Sequence, residues 1–184
     1  ATYTYPDQAF GINAQQFVVA RSTGGKPVVG VAPMAFYDPR HWYKSDPAVY
    51  EAYVAKMARF VSWLIDTNHD VAFFHTQVNG DDAVIPDILR NLHENGMTAQ
   101  AMLCRELPVA NYRQAIAAIS QTDFVVASRF HAILFSYLLK KPVVGISYHQ
   151  KVNDMMKTFG QGEFVVPIES FDSETLQGTF RRLE

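Results

Sequence analysis

The sequence predicts an α/β fold: a parallel sheet of about six strands with helices packed on both faces. Three observations predict it. First, short wholly apolar runs recur along the 184 residues: Val28-Val29-Gly30-Val31-Ala32, Val71-Ala72-Phe73-Phe74, Phe124-Val125-Val126-Ala127 and Val143-Val144-Gly145-Ile146. Runs with no polar alternation belong to strands buried on both faces, the condition of parallel sheets. Second, the intervening segments have helical period; Tyr50, Val54, Met57, Val61 and Leu64 fall on one face of a helix over 49–66. Third, 48% of the residues are hydrophobic, enough to build the core of one domain of this length. The expected architecture is a Rossmann-like three-layer sandwich.

The elements follow in order. The first strand is entered through Gly24-Gly25-Lys26-Pro27, a turn cluster. After the second strand, Asn79-Gly80-Asp81 turns the chain and caps a helix carrying Ile85, Ile88, Leu89 and Leu92. Gly96 ends that helix where a left-handed residue is commonly required. A third strand is expected over 99–103 and a helix over 109–120. The fourth strand feeds a helix over 131–139, which Lys141-Pro142 breaks before the fifth strand. A short helix over 151–159, an edge strand at Phe164-Val165-Val166 and a final helix capped by Asp172 or Ser173 complete the chain. The start is different: residues 1–17 have no clean period yet hold Tyr3, Tyr5, Pro6, Phe10 and Phe17, apolar groups that need a partner surface. The expected division is therefore a linker from an absent N-terminal domain over 1–20, and a single domain over 21–184.

A net charge of −2 argues against a general nucleic-acid or membrane-surface binder. Between Arg129 and Lys157, however, Arg129, Lys140, Lys141, Lys151 and Lys157 face a single acid, Asp154, which suits an anionic ligand. Cys104 is the one cysteine, so no intrachain disulfide and no cysteine zinc cluster can form, and it reads as a small core residue. No signal peptide is visible and no apolar run approaches the ~20 residues of a membrane span. The cytoplasm, up to the inner face of the membrane, is the expected location.

The richest stretch is Ser128-Arg129-Phe130-His131, where the fourth strand gives way to a helix. Open α/β sheets hold ligands at such junctions. The first N–H groups of the helix and its dipole favour an anion, Arg129 adds a forked cation, and His131 adds a group that exchanges a proton near neutral pH. Ser128 reads as the helix cap. The next junction, Ser147-Tyr148-His149-Gln150-Lys151, repeats the arrangement and offers Lys151, His149 and Tyr148 to the same sheet edge. Gln77 and Asp81 lie in the loop after the second strand, where Asp81 reads first as a cap. His41, His69 and His93 have no companions at ligand spacing and read as surface. No metal site is expected. Neither Gly-x-Gly-x-x-Gly after the first strand, nor a P-loop, nor Gly-x-Ser-x-Gly occurs, which disfavours dinucleotide, nucleoside-triphosphate and serine-hydrolase readings.

With these residues assembled, the chain resembles the polysaccharide pyruvyl transferase family. The likeness rests on Ser128-Arg129-Phe130-His131-Ala132 and on the stretch Lys141-Pro142-Val143-Val144-Gly145-Ile146-Ser147-Tyr148-His149-Gln150-Lys151. Asp123, the Gln77 to Asp82 loop and Pro6-Asp7-Gln8-Ala9-Phe10 support it. The resemblance implies the C-terminal, donor-binding half of a GT-B-type architecture. It implies transfer of a pyruvyl group from phosphoenolpyruvate to two hydroxyls of a saccharide or lipid-linked glycan, giving a cyclic ketal and phosphate, in exopolysaccharide or cell-envelope synthesis. No cofactor is implied beyond phosphoenolpyruvate as co-substrate. Arg129 and His131 would be catalytic, and Arg129, Ser128, Phe130, His149 and Lys151 would bind the donor.

Two other functions fit the same pattern. A nucleotide-sugar glycosyltransferase would use the junction for a diphosphate and grip the ribose with Glu169 or Asp172. A non-catalytic sugar- or phosphate-binding module would use Tyr37, Trp42 or Tyr43 to stack on a ring.

Overall fold

The computed structural model describes residues 8–20, 24–77 and 80–184. Six strands, β1 (Val28–Ala32), β2 (Asp70–Phe73), β3 (Arg105–Glu106), β4 (Phe124–Ala127), β5 (Val143–Ser147) and β6 (Val165–Pro167), form one sheet. Every pairing is parallel and the order is β3-β2-β1-β4-β5-β6. The chain therefore reverses direction across the sheet between β1 and β4. That switch leaves a crevice outside the carboxyl ends of these two strands.

The apolar strands bury both faces, as expected. Val29, Val31, Val71, Phe73, Val126, Val144 and Ile146 pack on one side under α1 (Pro47–Asp66), α2 (Val84–Glu94) and α7 (Ser173–Leu183). Val125, Ala127 and Val143 pack on the other under α4 (Tyr112–Ser120), α5 (Phe130–Leu138) and α6 (Gln150–Thr158). Gly30 and Gly145 sit where a Cβ would lie 2.8 Å from Thr122 Cγ2 and from Met156 Sδ, so glycine lets the neighbouring side chains close onto the strands. Asp123 ties β4 to β1, its carboxylate accepting the Val28 amide at 2.7 Å. Gly96 does take the left-handed conformation, at φ 78°.

Several expectations are corrected. Residues 99–103 form no strand. They lie in a short helix, α3 (Thr98–Leu103), because Ala99-Gln100-Ala101-Met102-Leu103 are all good helix formers with no β-branched residue among them. The third strand is Arg105–Glu106, one residue further on, pairing Ala72 with Arg105 at the sheet margin. His69 is buried, not on the surface. Its ring packs edge-on against Phe180, its Nδ1 lies 3.2 Å from the Leu64 carbonyl, and its Nε2 lies 3.2 Å from Glu184. Phe10 and Phe17 find partners within the domain, stacking on Phe159 and meeting Tyr112 and Arg113. Tyr3, Tyr5, Pro6, Asp7 and Asn79 lie outside the described residues. Cys104 is only partly covered, packed against the margin of the core and donating to the Gln100 carbonyl.

Buried acids make this fold sensitive to alkali. Burial pushes the Cys104 thiol up to about 12, and the fully buried Tyr53 hydroxyl also up to about 12. Burial also raises Tyr137 and, with the Asp87 carboxylate beside it, Tyr50. The folded state holds each group protonated. Their contribution to stability is complete below the ordinary pKa values, 9.0 for cysteine and 10.0 for tyrosine, and is lost as pH rises towards 12. The urea midpoint should be level from about pH 7 to about pH 9 and fall steeply by about pH 11. A midpoint still level at that point would contradict this account.

Candidate functional site

The site grows from the carboxyl ends of β1 and β4. The sheet ladder ends where the Ser128 amide donates to the Ala32 carbonyl at 3.0 Å. Beyond it Ser128 is fully buried, and its hydroxyl lies 3.3 Å from that of Tyr53 on α1. The Tyr53 hydroxyl also accepts the Met34 amide at 3.3 Å. Ser128 is therefore not the cap of α5, contrary to the sequence reading. Arg129 holds the N-cap position, in extended conformation, and supplies no side-chain cap. The consequence is chemical: the N-cap residue offers no side-chain acceptor to the first turn of α5, whose amides favour an anion.

Arg129 does not stand alone. Its Nε and Nη2 donate to the two carboxylate oxygens of Asp81, each at 2.7 Å, a bidentate pair. Asp81 is fully buried and also accepts the Ala35 amide at 2.9 Å. It caps no helix; Ala83 precedes α2 and the carboxylate is spent on Arg129 and on the β1 loop. Burial works against the charge on Arg129, but the Asp81 carboxylate outweighs it and the guanidinium pKa is raised. The pair cancels in charge while fixing the fork in place. Two of the five guanidinium N–H donors go to Asp81, and Arg129 also lines an open cavity.

The second junction lies alongside. His149 caps α6, its Nδ1 accepting the Lys151 amide at 3.1 Å. Because the amide can only donate, the ring keeps its proton on Nε2. The Lys151 ammonium lies 3.8 Å from the centre of the Phe130 ring, a cation–π contact linking the two junctions. Tyr148 is partly exposed; its ring lies 6.0 Å from the Arg129 guanidinium and meets Trp42 edge-on at 6.4 Å. His131 is exposed on the first turn of α5, between the rings of Phe130 and Phe135.

Two cavities open here. One of about 310 Å³ is lined by Arg129, Trp42, His41, Gln77, Gly80 and Asp82. The other, of about 630 Å³, is lined by Phe130, His149, Lys151 and the apolar side chains Phe10, Met155 and Phe159. The sequence-derived residues thus fall into two groups around Tyr148: Arg129, Gln77 and Asp81 on one side, Phe130, His149 and Lys151 on the other. Among the described residues no three His, Cys, Asp or Glu side chains come together to hold a metal ion. No helix among the described residues is long and apolar enough to cross a membrane.

Sequence reasoning missed a second charged cluster. Asp38 is buried and accepts from Arg40, whose Nη2 also reaches Asp87; Asp87 in turn takes the Tyr50 hydroxyl and Arg90. This network ties the β1–α1 loop, which carries Trp42, to α1 and α2. The available signal was Asp87 itself, three residues after Val84 and one before Ile88, a carboxylate on the buried stripe of a helix. Asp172, considered as a ribose ligand, is the cap of α7, its carboxylate accepting the Thr175 amide at 2.7 Å.

The sequence model described as "Polysaccharide pyruvyl transferase" matches residues 7–150. The chain belongs to the polysaccharide pyruvyl transferase family. Its fold is similar to that of E. coli ADP-heptose LPS heptosyltransferase II, with a TM-score of 0.61 and 16% identity over 98% of this chain and 52% of that one. The chain spans about half the length of that protein. It is also similar to the molybdenum cofactor carrier protein MCP of Chlamydomonas reinhardtii, with a TM-score of 0.50 and 12% identity over 86% of this chain and 98% of that one. Likeness at these identities shows the fold alone. Among curated proteins nothing matches.

Proposed function

We propose that this chain is the donor-binding half of an enzyme that moves the pyruvyl group of phosphoenolpyruvate onto two hydroxyls of a saccharide, forming a cyclic ketal and phosphate. The acceptor, a saccharide or lipid-linked glycan, would also meet an N-terminal domain of the same protein. The observation that carries the reading is the α5 junction, whose first turn has no side-chain cap and opens beside the fixed Arg129 fork at the switch point.

Phosphoenolpyruvate has two anionic groups, so it needs two cationic or amide-rich contacts. The α5 first turn supplies one and Arg129 another, with Lys151 and the Nε2–H of His149 alongside. His131 then protonates the methylene carbon, which becomes the methyl group. Positive charge develops on the carbon bearing phosphate, and the first hydroxyl attacks there and loses its proton to His131. Phosphate departs by C–O cleavage, the second hydroxyl closes the ring, and its proton leaves with phosphate. The net charge of the Arg129–Asp81 pair is zero, so amides and hydrogen-bond geometry do more of the anion binding than raw charge.

The full-length protein, given phosphoenolpyruvate and a glycan, should release one phosphate for each new ketal methyl signal in the proton spectrum. Release of phosphate without ketal, or consumption of a nucleotide sugar instead, would replace this function with a hydrolase or a glycosyltransferase.

A further inference from the structure

Beyond the last rung of the β1–β4 ladder the two chains part, one into the β1–α1 loop and the other into α5, and the crevice opens between them. Side chains join them again further out. The Tyr53 hydroxyl, on α1, takes the Met34 amide of the loop and meets Ser128 Oγ just beyond β4, each at 3.3 Å. Next to Met34, the Ala35 amide donates to Asp81, and Asp81 holds the fork of Arg129, the residue after Ser128. The contacts therefore close a ring: Tyr53, Met34, Ala35, Asp81, Arg129, Ser128 and back to Tyr53.

This ring is dry. Tyr53, Met34, Ala35, Asp81 and Ser128 are all buried, while the Arg129 guanidinium reaches the open cavity. Packing does not account for the tyrosine. Its ring meets Phe36 and Phe171 edge-on, contacts that a phenylalanine would make equally well. A hydroxyl in a fully buried place is costly unless it is hydrogen-bonded. This one accepts the Met34 amide, so its own hydrogen is left for Ser128 Oγ. Burial holds the phenol up to about 12, so that hydrogen stays in place at neutral pH.

We infer that Tyr53 is a positioning residue of this site: its hydroxyl closes the ring that fixes the β1–α1 loop against the α5 junction, and with it the direction of the Arg129 fork. Being fully buried, Tyr53 acts through Ser128 and Asp81 and not on substrate. Its hold on Arg129 stands on the contacts alone, whereas its bearing on turnover rests on the pyruvyl-transfer reading. With the hydroxyl gone, Met34 and Ser128 lose their common partner, and of these contacts Asp81 is the remaining tie across the crevice. A binding group displaced by about 1 Å can cost about 10²-fold in rate.

In the full-length protein, Tyr53→Phe should speed hydrogen exchange of the Arg129 Nε–H at least about tenfold, read by nitrogen-15 NMR with the signal assigned through Arg129→Lys. Ser128→Ala, which removes the same contact from the other side, should do likewise. Phosphate release at saturating phosphoenolpyruvate and glycan should fall at least about tenfold in both. Tyr53→Phe added to Asp81→Asn should lower the rate no further than Asp81→Asn alone, since both open one ring. Thr122→Val cuts a buried hydrogen bond to the Ile119 carbonyl at the opposite end of β4, and should lower the urea midpoint while leaving exchange and turnover unchanged. Wild-type exchange in Tyr53→Phe or Ser128→Ala, faster exchange beside unchanged turnover, additive losses with Asp81→Asn, or the same changes in Thr122→Val would each overturn the positioning role. If exchange quickens as expected but even the wild-type protein releases no phosphate from phosphoenolpyruvate, the pyruvyl-transfer reading fails and the hold of Tyr53 on Arg129 stands.

Discussion

Arg129→Ala is expected to lose stability and activity together, and the two losses should separate in a second variant. Asp81 is fully buried, and its partner is only 16% exposed at the side chain. Removing one member of such a pair leaves an uncompensated charge, a loss of about 3–5 kcal/mol, here nearer the lower figure because Arg129 is partly wet. Activity should fall by at least about 10²-fold as well, the usual result of deleting one contact to a developing or bound oxyanion. The double variant Arg129→Met/Asp81→Asn removes both charges and keeps a side-chain oxygen to accept the Ala35 amide, and replacing a buried pair by neutral groups is often nearly neutral. It should restore most of the urea midpoint and none of the phosphate release. A double variant that regains activity would mean Arg129 serves Asp81 and not the donor.

Much of the fold is legible in the sequence because its signals are local. An unbroken apolar run such as Phe124-Val125-Val126-Ala127 announces a strand buried on both faces, and Tyr50, Val54, Met57, Val61 and Leu64 announce a helix. The error at 99–103 has a physical source. A margin strand of two residues buries little, so Arg105-Glu106 leaves no apolar run, whereas the hydrophobic Ala101-Met102-Leu103 before it belongs to a helix that stays largely exposed. Apolarity there reports helix propensity and partial packing, not sheet burial.

The site was legible as a place but not as a set of bonds. Ser128-Arg129-Phe130-His131 is contiguous, and its position at a strand end follows from its neighbours. The partner of Ser128 is Tyr53, 75 residues away, and the partner of Arg129 is Asp81, 48 residues away. Serine before a helix is most often a cap, so only the tertiary contact reveals that Ser128 points inward. The same limit hid Arg40, whose charge looks like that of any loop arginine until Asp38 and Asp87 close around it. The position of Asp87 on the apolar face of α2 was the one trace of this network in the sequence.

His131→Ala is expected to lower kcat by about 10²–10⁴-fold with little change in the KM for phosphoenolpyruvate, the range for loss of a positioned general acid. That is about 2.7–5.4 kcal/mol of barrier, at ~1.36 kcal/mol per decade. The fold should tolerate the change, because His131 is exposed and its ring rests against Phe130 and Phe135 at the surface of α5. Exposure also supplies the decisive control. Added imidazole can reach a vacated position on an open helix face, so it should restore part of the kcat of the alanine variant and none in a variant of a buried residue. A loss confined to KM, or one that imidazole leaves untouched, would move His131 from proton donor to anion contact. The acid would then have to be sought in the Nε2–H of His149, which caps α6 one junction away.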